Sequence, residues 1–138
     1  MNPFDLSNKV ICVTGASSGI GRQCAVSCSR MGATVVLLAR NEQRLHETLS
    51  IMDNPDKHVI IPVDLTEYAT VELVVKNIVS QVGRISGVLH CAGISTTLPL
   101  KLVTPEKLDE FFQANVFSAY NLTREVCKMG NFSREGGS

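Results

Sequence analysis

The chain has 138 residues, 44% of them hydrophobic, and its 13 basic and 13 acidic side chains cancel. That balance suits one small packed domain rather than a disordered chain, and the lack of a basic cluster interleaved with aromatics excludes a nucleic-acid footprint. No apolar stretch approaches the ~18 residues of a membrane span, and Met1-Asn2-Pro3-Phe4-Asp5 lacks the regions of a signal peptide, so a cytoplasmic protein without a membrane partner is expected.

Phe4 to Lys9 supply turn chemistry, and Val10–Val13 is a nearly unbroken apolar run, as a parallel strand covered on both faces should be. Thr14-Gly15-Ala16-Ser17-Ser18-Gly19-Ile20-Gly21 then hands over to a helical pattern across Ile20–Met31. Gly15 can take a tight turn that a side chain would block, Gly19 can let a diphosphate approach the backbone, and Gly21 can pack helix on strand. A helix start offers unpaired N–H groups and a positive dipole end, to which Ser17 and Ser18 add hydroxyls. Gly15, Ser17, Ser18, Gly19, Ile20 and Gly21 are therefore candidate cofactor-binding residues. Within the helix, Ile20, Cys24, Ala25, Val26 and Cys28 are expected to face the sheet, and Gly32 suits a left-handed cap.

A second strand over Thr34–Leu38 completes a strand-helix-strand unit of the ~30 residues that a dinucleotide site needs. Ala39 and Arg40 stand at its end, where a carboxylate would bind ribose hydroxyls and repel a 2′-phosphate. A guanidinium fork suits phosphate oxygens instead, so NADP(H) is favoured over NAD(H), with Arg22 or Asn41 assisting Arg40. A solvated Arg at a helix start is the other reading. The next helix, Glu42–Met52, carries Leu45, Leu49 and Met52 on one stripe and ends in Asp53-Asn54-Pro55-Asp56.

The third strand, His58–Val63, tolerates Pro62 at its end or at an edge, and delivers Asp64 to the carboxyl side of the sheet. Asp64 or Thr66 could equally cap the following helix, Glu67–Val82, whose Val71, Val74, Val75, Ile78 and Val82 make a core stripe. Gly87–Cys91 is the fourth strand and leads into His90-Cys91-Ala92-Gly93. His90 reads either as a base or as a structural hydrogen-bonding group. Thr104-Pro105 opens a long helical tract, Glu106–Met129, with a broad apolar surface and Asn115 inside it. The five cysteines sit in apolar patterns and read as reduced, buried small hydrophobes. Cys24 and Cys28 share a helix face without a His or acidic partner, so no metal site is expected.

Thr-Gly-x-x-x-Gly-x-Gly at Thr14–Gly21, Ala39-Arg40, Val63-Asp64-Leu65-Thr66, Ala92-Gly93 and Asn115 together resemble the short-chain dehydrogenase/reductase family in order and spacing. The resemblance implies a Rossmann-type, doubly wound α/β fold with a partial parallel sheet ordered 3-2-1-4 and helices on both faces. It implies an oxidoreductase interconverting hydroxyl and carbonyl groups with a nicotinamide dinucleotide, acting on a small alcohol or carbonyl compound. Asp64 would accept the adenine amino group beside the Leu65 backbone, and Ala92 and Gly93 would let the chain approach the nicotinamide ribose. Asn115 would be the catalytic Asn, in a kinked helix that holds a water for proton relay, and the long helix would join a second subunit.

His90 and Cys91 occupy positions where the family usually has two Asn, and its catalytic Ser and Tyr-x-x-x-Lys are absent. Residues 1–138 are thus expected to form a single truncated NAD(P)-binding domain with a polar, Gly-rich tail at 130–138. The fourth strand is expected to be an open apolar edge, favouring self-association. A nucleotide-binding module without catalysis, or an interaction protein using the long helix, is the alternative.

Overall fold

The computed structural model describes residues 2–138. Strands β1 (Val10–Thr14), β2 (Thr34–Ala39), β3 (Val59–Pro62) and β4 (Gly87–Leu89) form one parallel sheet in the order β3-β2-β1-β4. Helices α1 (Gly19–Arg30), α2 (Glu42–Ser50) and α3 (Tyr68–Val82) form the crossovers. A last helical tract comprises α4 (Pro105–Phe112), a π-helical turn over Gln113–Phe117, and α5 (Ser118–Val126).

The apolar runs of the strands are divided between two cores by the period-2 geometry of the backbone. Val10, Cys12, Val36 and Leu38 pack with Val71, Val75 and Ile78 of α3 and with Leu122 and Val126 of α5. Ile11, Val13, Val35 and Leu37 pack on the opposite face with Ala25, Val26 and Cys28 of α1 and Leu45 of α2. A sheet covered on both faces leaves no polar alternation in β1 or β2, which is why those runs read as continuous. Burial in the first of these cores pushes the Cys12 thiol up to about 12.

Local chemistry sets the element ends. Gly32 adopts φ +92 just beyond α1 and Gly83 adopts φ +93 beyond α3, conformations that glycine takes without a Cβ clash. Thr104 caps α4 by accepting from the Lys107 N–H at 3.2 Å, with Pro105 in the first helical position. Pro62 is the last residue of β3, an outer strand.

Several expectations are corrected. Ile20 does not face the sheet: it is 77% exposed, because the first turn of α1 overhangs the carboxyl ends of the strands. Cys24 and Cys91 are only half-buried, and Cys127 is exposed beyond the end of α5. Strand β4 ends at Leu89, short of Cys91. Its edge is not fully open, since residues 131–138 lie along it. Ile85 N–H donates to Asn131 O at 2.8 Å, Ser133 N–H to Ile85 O at 2.9 Å, Ser138 N–H to Ser86 O at 3.1 Å and Val88 N–H to Ser138 O at 3.0 Å. These bonds satisfy groups that a bare strand edge would leave unpaired.

Strand β3 starts one residue later than the pattern suggested because His58 turns its ring inward. Val35 N–H donates to His58 Nδ1 at 3.0 Å, which assigns the proton to Nε2, and Nε2 donates to Asp53 O at 2.7 Å. Burial lowers the pKa of this imidazole below the ordinary 6.5, and protonating Nδ1 would remove the acceptor for Val35. Between the lowered folded value and 6.5, the unfolded chain binds more protons than the folded one, so stability rises with pH through that window and levels off above it. The free energy of urea unfolding is expected to rise as the pH increases toward 6.5 and to level off above it. His58→Gln should flatten part of that rise; His90, shifted in the same direction, should retain the remainder. An unchanged slope in the variant would show that His58 does not titrate this way.

Candidate dinucleotide site

All four strands are parallel, so the turns after β1, β2, β3 and β4 emerge at one edge of the sheet. At the first of these turns the backbone packs without intervening side chains. Gly15 (φ +64) lies against the loop after β4, where an added Cβ would fall 2.8 Å from Cys91 O and 2.9 Å from Ala92 N. A Cβ on Gly21 would fall 2.2 Å from Gly15 O, so only glycine allows α1 to start directly on the β1 turn.

Gly19 (φ +53) faces open space, with nothing within 4 Å of a built Cβ. Ser18 is the N-cap of α1 and makes no side-chain capping bond. Among the described residues, no acceptor receives the backbone N–H of Ser17, Ser18, Gly19 or Ile20. Open space beside free amides at a helix start is the donor arrangement that a diphosphate requires.

Of the side chains that hold this loop, Thr48 was not singled out from the sequence, and Thr14 and Arg22 were named only for other roles. Thr14 Oγ1 accepts from the N–H groups of Cys91 and Ala92, both at 3.0 Å, and donates to Leu89 O at 3.4 Å. Thr48 of α2 is fully buried; its Oγ1 donates to Ala16 O at 2.8 Å and accepts from Arg22 Nε at 2.9 Å. Arg22 Nη2 donates to Ser17 O at 2.7 Å and reaches Glu47 Oε2 at 3.3 Å. Arg22 is therefore committed to the loop carbonyl and does not stand free beside Arg40 as expected. The signal for Thr48 in the sequence is its place three residues after Leu45, on the buried face of α2.

At the ends of β2 and β3, Ala39 pairs with Pro62 and Val63 N–H donates to Ala39 O at 2.9 Å, which brings Arg40 and Asp64 to neighbouring positions. Arg40 is exposed. Asn41 Oδ1 caps α2 by accepting from Arg44 N–H at 3.0 Å. Asp64 Oδ1 accepts from Thr66 Oγ1 at 2.7 Å and from Thr66 N–H at 3.0 Å. These bonds hold the carboxyl below the usual range, and the nearby Arg40 charge adds a smaller push in the same direction. Asp64 is not the helix cap considered above: it closes a turn ahead of α3, whose N-cap is Glu67. Leu65 is half-buried and packs against the core that α3 and α5 share.

After β4, Ala92 and Gly93 are exposed at the same edge. Asn115 lies in the π-helical turn and clamps the next residue, accepting from Ile94 N–H at 2.7 Å and donating to Ile94 O at 2.8 Å. A Cβ on Gly93 would sit 2.9 Å from Asn115 Oδ1. Thr14 and Asn115 thus steady a loop that lacks the family's two amides. His90 Nε2 is 2.9 Å from Thr123 Oγ1 of α5, and desolvation there lowers its pKa although the residue as a whole is exposed. Tyr68 bonds to Gln113, and Tyr120 is exposed on α5.

Replacing Thr14 by Val would leave the Cys91 and Ala92 N–H groups without their acceptor. Urea unfolding should show a loss of about 1–3 kcal/mol, with Thr14→Ser close to the parent chain. Equal stability of the Val and parent chains would sink this account of the loop.

The family model described as short chain dehydrogenase matches residues 9–138. The oxidoreductase YciK of Escherichia coli K12 is 34% identical over 127 residues, which are 88% of this chain and 50% of that protein. L-xylulose reductase of Caenorhabditis elegans is 36% identical over 117 residues, 82% of this chain and 44% of that one. Among solved structures, a short chain dehydrogenase of Escherichia coli CFT073 superposes with a TM-score of 0.81 at 32% identity, covering 92% of this chain and 58% of the other. An actinorhodin polyketide ketoreductase with NADPH superposes with a TM-score of 0.81 at 25% identity, covering 88% and 47%. The chain spans about half the length of the relatives it matches. With the 3-2-1-4 parallel sheet and the glycine turn in place, these matches establish that the chain belongs to the short-chain dehydrogenase family.

Proposed function

We propose that this chain is the cofactor-binding portion of an NADP(H)-dependent oxidoreductase that interconverts a hydroxyl and a carbonyl group. The observation that carries the reading is the set of unpaired amides from Ser17 to Ile20 at the sheet edge, with Arg40 exposed at the end of β2 and one oxygen of the neighbouring Asp64 already bonded to Thr66. In this reading Gly15, Ser17, Ser18, Gly19, Ile20 and Gly21 hold the diphosphate. Arg40, with the free amide nitrogen of Asn41, takes the 2′-phosphate. The second oxygen of Asp64 and the Leu65 backbone receive the adenine, and Ala92 and Gly93 lie along the nicotinamide ribose.

When bound, the nicotinamide supplies or accepts the hydride. The chain's own residues orient and anchor it: the N-terminal end of α1 stabilises the diphosphate charge, and the Thr14 and Asn115 bonds keep the β4 loop from closing over the ribose position. Asn115 acts here as a positioning residue, since both ends of its amide are taken by Ile94. Residues 1–138 contain no Tyr-x-x-x-Lys. Proton delivery to the alkoxide is therefore assigned to no side chain in them. The actinorhodin ketoreductase with NADPH supports the choice of phosphorylated cofactor, as does the missing acid at the end of β2.

Isothermal titration separates the possibilities. NADPH should bind more tightly than NADH, and Arg40→Ala should weaken NADPH by roughly 10- to 100-fold while leaving NADH nearly unchanged, the loss of one charge-assisted phosphate contact. Equal affinity for the two cofactors in the parent chain would overturn the NADP(H) assignment. No heat with either would overturn the cofactor reading as a whole.

A further inference from the structure

Thr48 has no place in the site by sequence position and Arg22 is expected beside Arg40, yet both end on carbonyl oxygens of the glycine loop. Thr48 Oγ1 lies 2.8 Å from Ala16 O and 3.2 Å from Arg44 O, and its single proton favours the shorter bond. Its lone pair receives Arg22 Nε at 2.9 Å, and Arg22 Nη2 continues to Ser17 O at 2.7 Å. Glu47, the residue before Thr48 in α2, pairs with the guanidinium at 3.3 Å. Two successive carbonyls of the loop are thereby drawn toward α2 by one hydroxyl and one guanidinium.

A trans peptide is planar, with its C=O and the following N–H pointing in opposite directions. Fixing Ala16 O toward α2 turns the Ser17 N–H away from α2, and fixing Ser17 O does the same for the Ser18 N–H. These are two of the amides without an acceptor among the described residues. Left to itself a Gly-rich turn visits several peptide orientations, and each peptide flip would present a carbonyl, not an amide, to an anion. A buried threonine bonded on both sides removes that freedom before any ligand arrives.

We infer that Thr48 and Arg22 are positioning residues for the diphosphate of the dinucleotide: they hold the Ala16 and Ser17 carbonyls inward so that the Ser17 and Ser18 amides face the anion. This rests on the cofactor reading above and extends it to residues that touch no part of the cofactor. The role is specific to the diphosphate. Arg40 and Asp64, which would meet the adenosine end, lie at the ends of β2 and β3 and make no bond with this pair.

The test compares NADPH with adenosine 2′-monophosphate, which has the adenosine and the 2′-phosphate but no diphosphate, in calorimetric titrations of the 138-residue chain. Thr48→Val and Arg22→Lys should each weaken NADPH by about tenfold, with adenosine 2′-monophosphate changed by less than about twofold. Thr48→Ser, which keeps the hydroxyl, should restore NADPH binding. In the parent chain, inorganic pyrophosphate should shift the Ser17 and Ser18 amide resonances in a ¹⁵N–¹H spectrum, and in Thr48→Val it should shift them far less.

Arg22→Lys keeps the charge at a half-exposed position, so it provides a folded variant if Thr48→Val unfolds. Variants that bind NADPH like the parent overturn the inference, as do variants that lose NADPH and adenosine 2′-monophosphate equally, because that pattern means general loosening. A parent chain that binds neither NADPH nor pyrophosphate overturns the cofactor reading and this inference together. Binding by the parent with indifferent variants removes only the role of Thr48 and Arg22.

Discussion

The rest of the molecule depends on a close approach of two backbones. The N-terminal turn of α1 lies so near the β1 turn that a methyl group on Gly21 would fall 2.2 Å from Gly15 O, and Gly15 in turn abuts the peptide between Cys91 and Ala92. No other residue type fits at Gly21 without separating helix from strand. Because that contact brings α1, β1 and the β4 loop together, the helix dipole, the free amides and the Ala92-Gly93 segment all open on one edge. A site assembled from backbone is stiff, and its donors need little reorganisation when an anion enters.

Stiffness at the edge depends on side chains behind it. Thr14 joins the end of β1 to the loop after β4 through two amides, and Asn115 joins that loop to the π-helical turn. A π-turn adds a residue to the helical repeat and swings the side chains beyond it, which here aims an amide at Ile94 while α5 keeps Leu122 and Val126 in the core. Thr48 and Arg22 perform the matching task on the other side of the glycine turn. Four side chains, Thr14, Asn115, Thr48 and Arg22, thus restrain the glycine turn and the loop after β4.

The electrostatics follow the same division. The chain carries no net charge, so attraction for a polyanionic dinucleotide would come from local arrangement and not from a global field. Arg22 is tied to Glu47, leaving Arg40 as the exposed cation at the end of β2, while Asp64 spends one oxygen on Thr66. Apolar surface on the last helical tract is distributed differently again. Leu122 and Val126 are buried, whereas Leu108, Phe112, Val116, Phe117 and Tyr120 remain exposed.

The glycine spacing, the apolar strands and the strand-helix alternation were enough to read the α/β class from the sequence, because each is enforced by local geometry: a positive φ, a two-residue strand period, a 3.6-residue helix period. The 3-2-1-4 order followed only from the resemblance to the family, which also needed the motifs at the later strand ends. Contacts between segments far apart in the chain were not legible. Ile20 looked like a core residue by periodicity and is exposed because its turn overhangs the sheet. Arg22 looked free and is bound to Thr48, 26 residues away. Thr14 reaches residues 77 and 78 positions later, and the edge of β4 is partly occupied by residues 131–138. Periodicity records which side of an element a residue faces; which hydroxyl meets which carbonyl is decided only when the sheet brings the segments together.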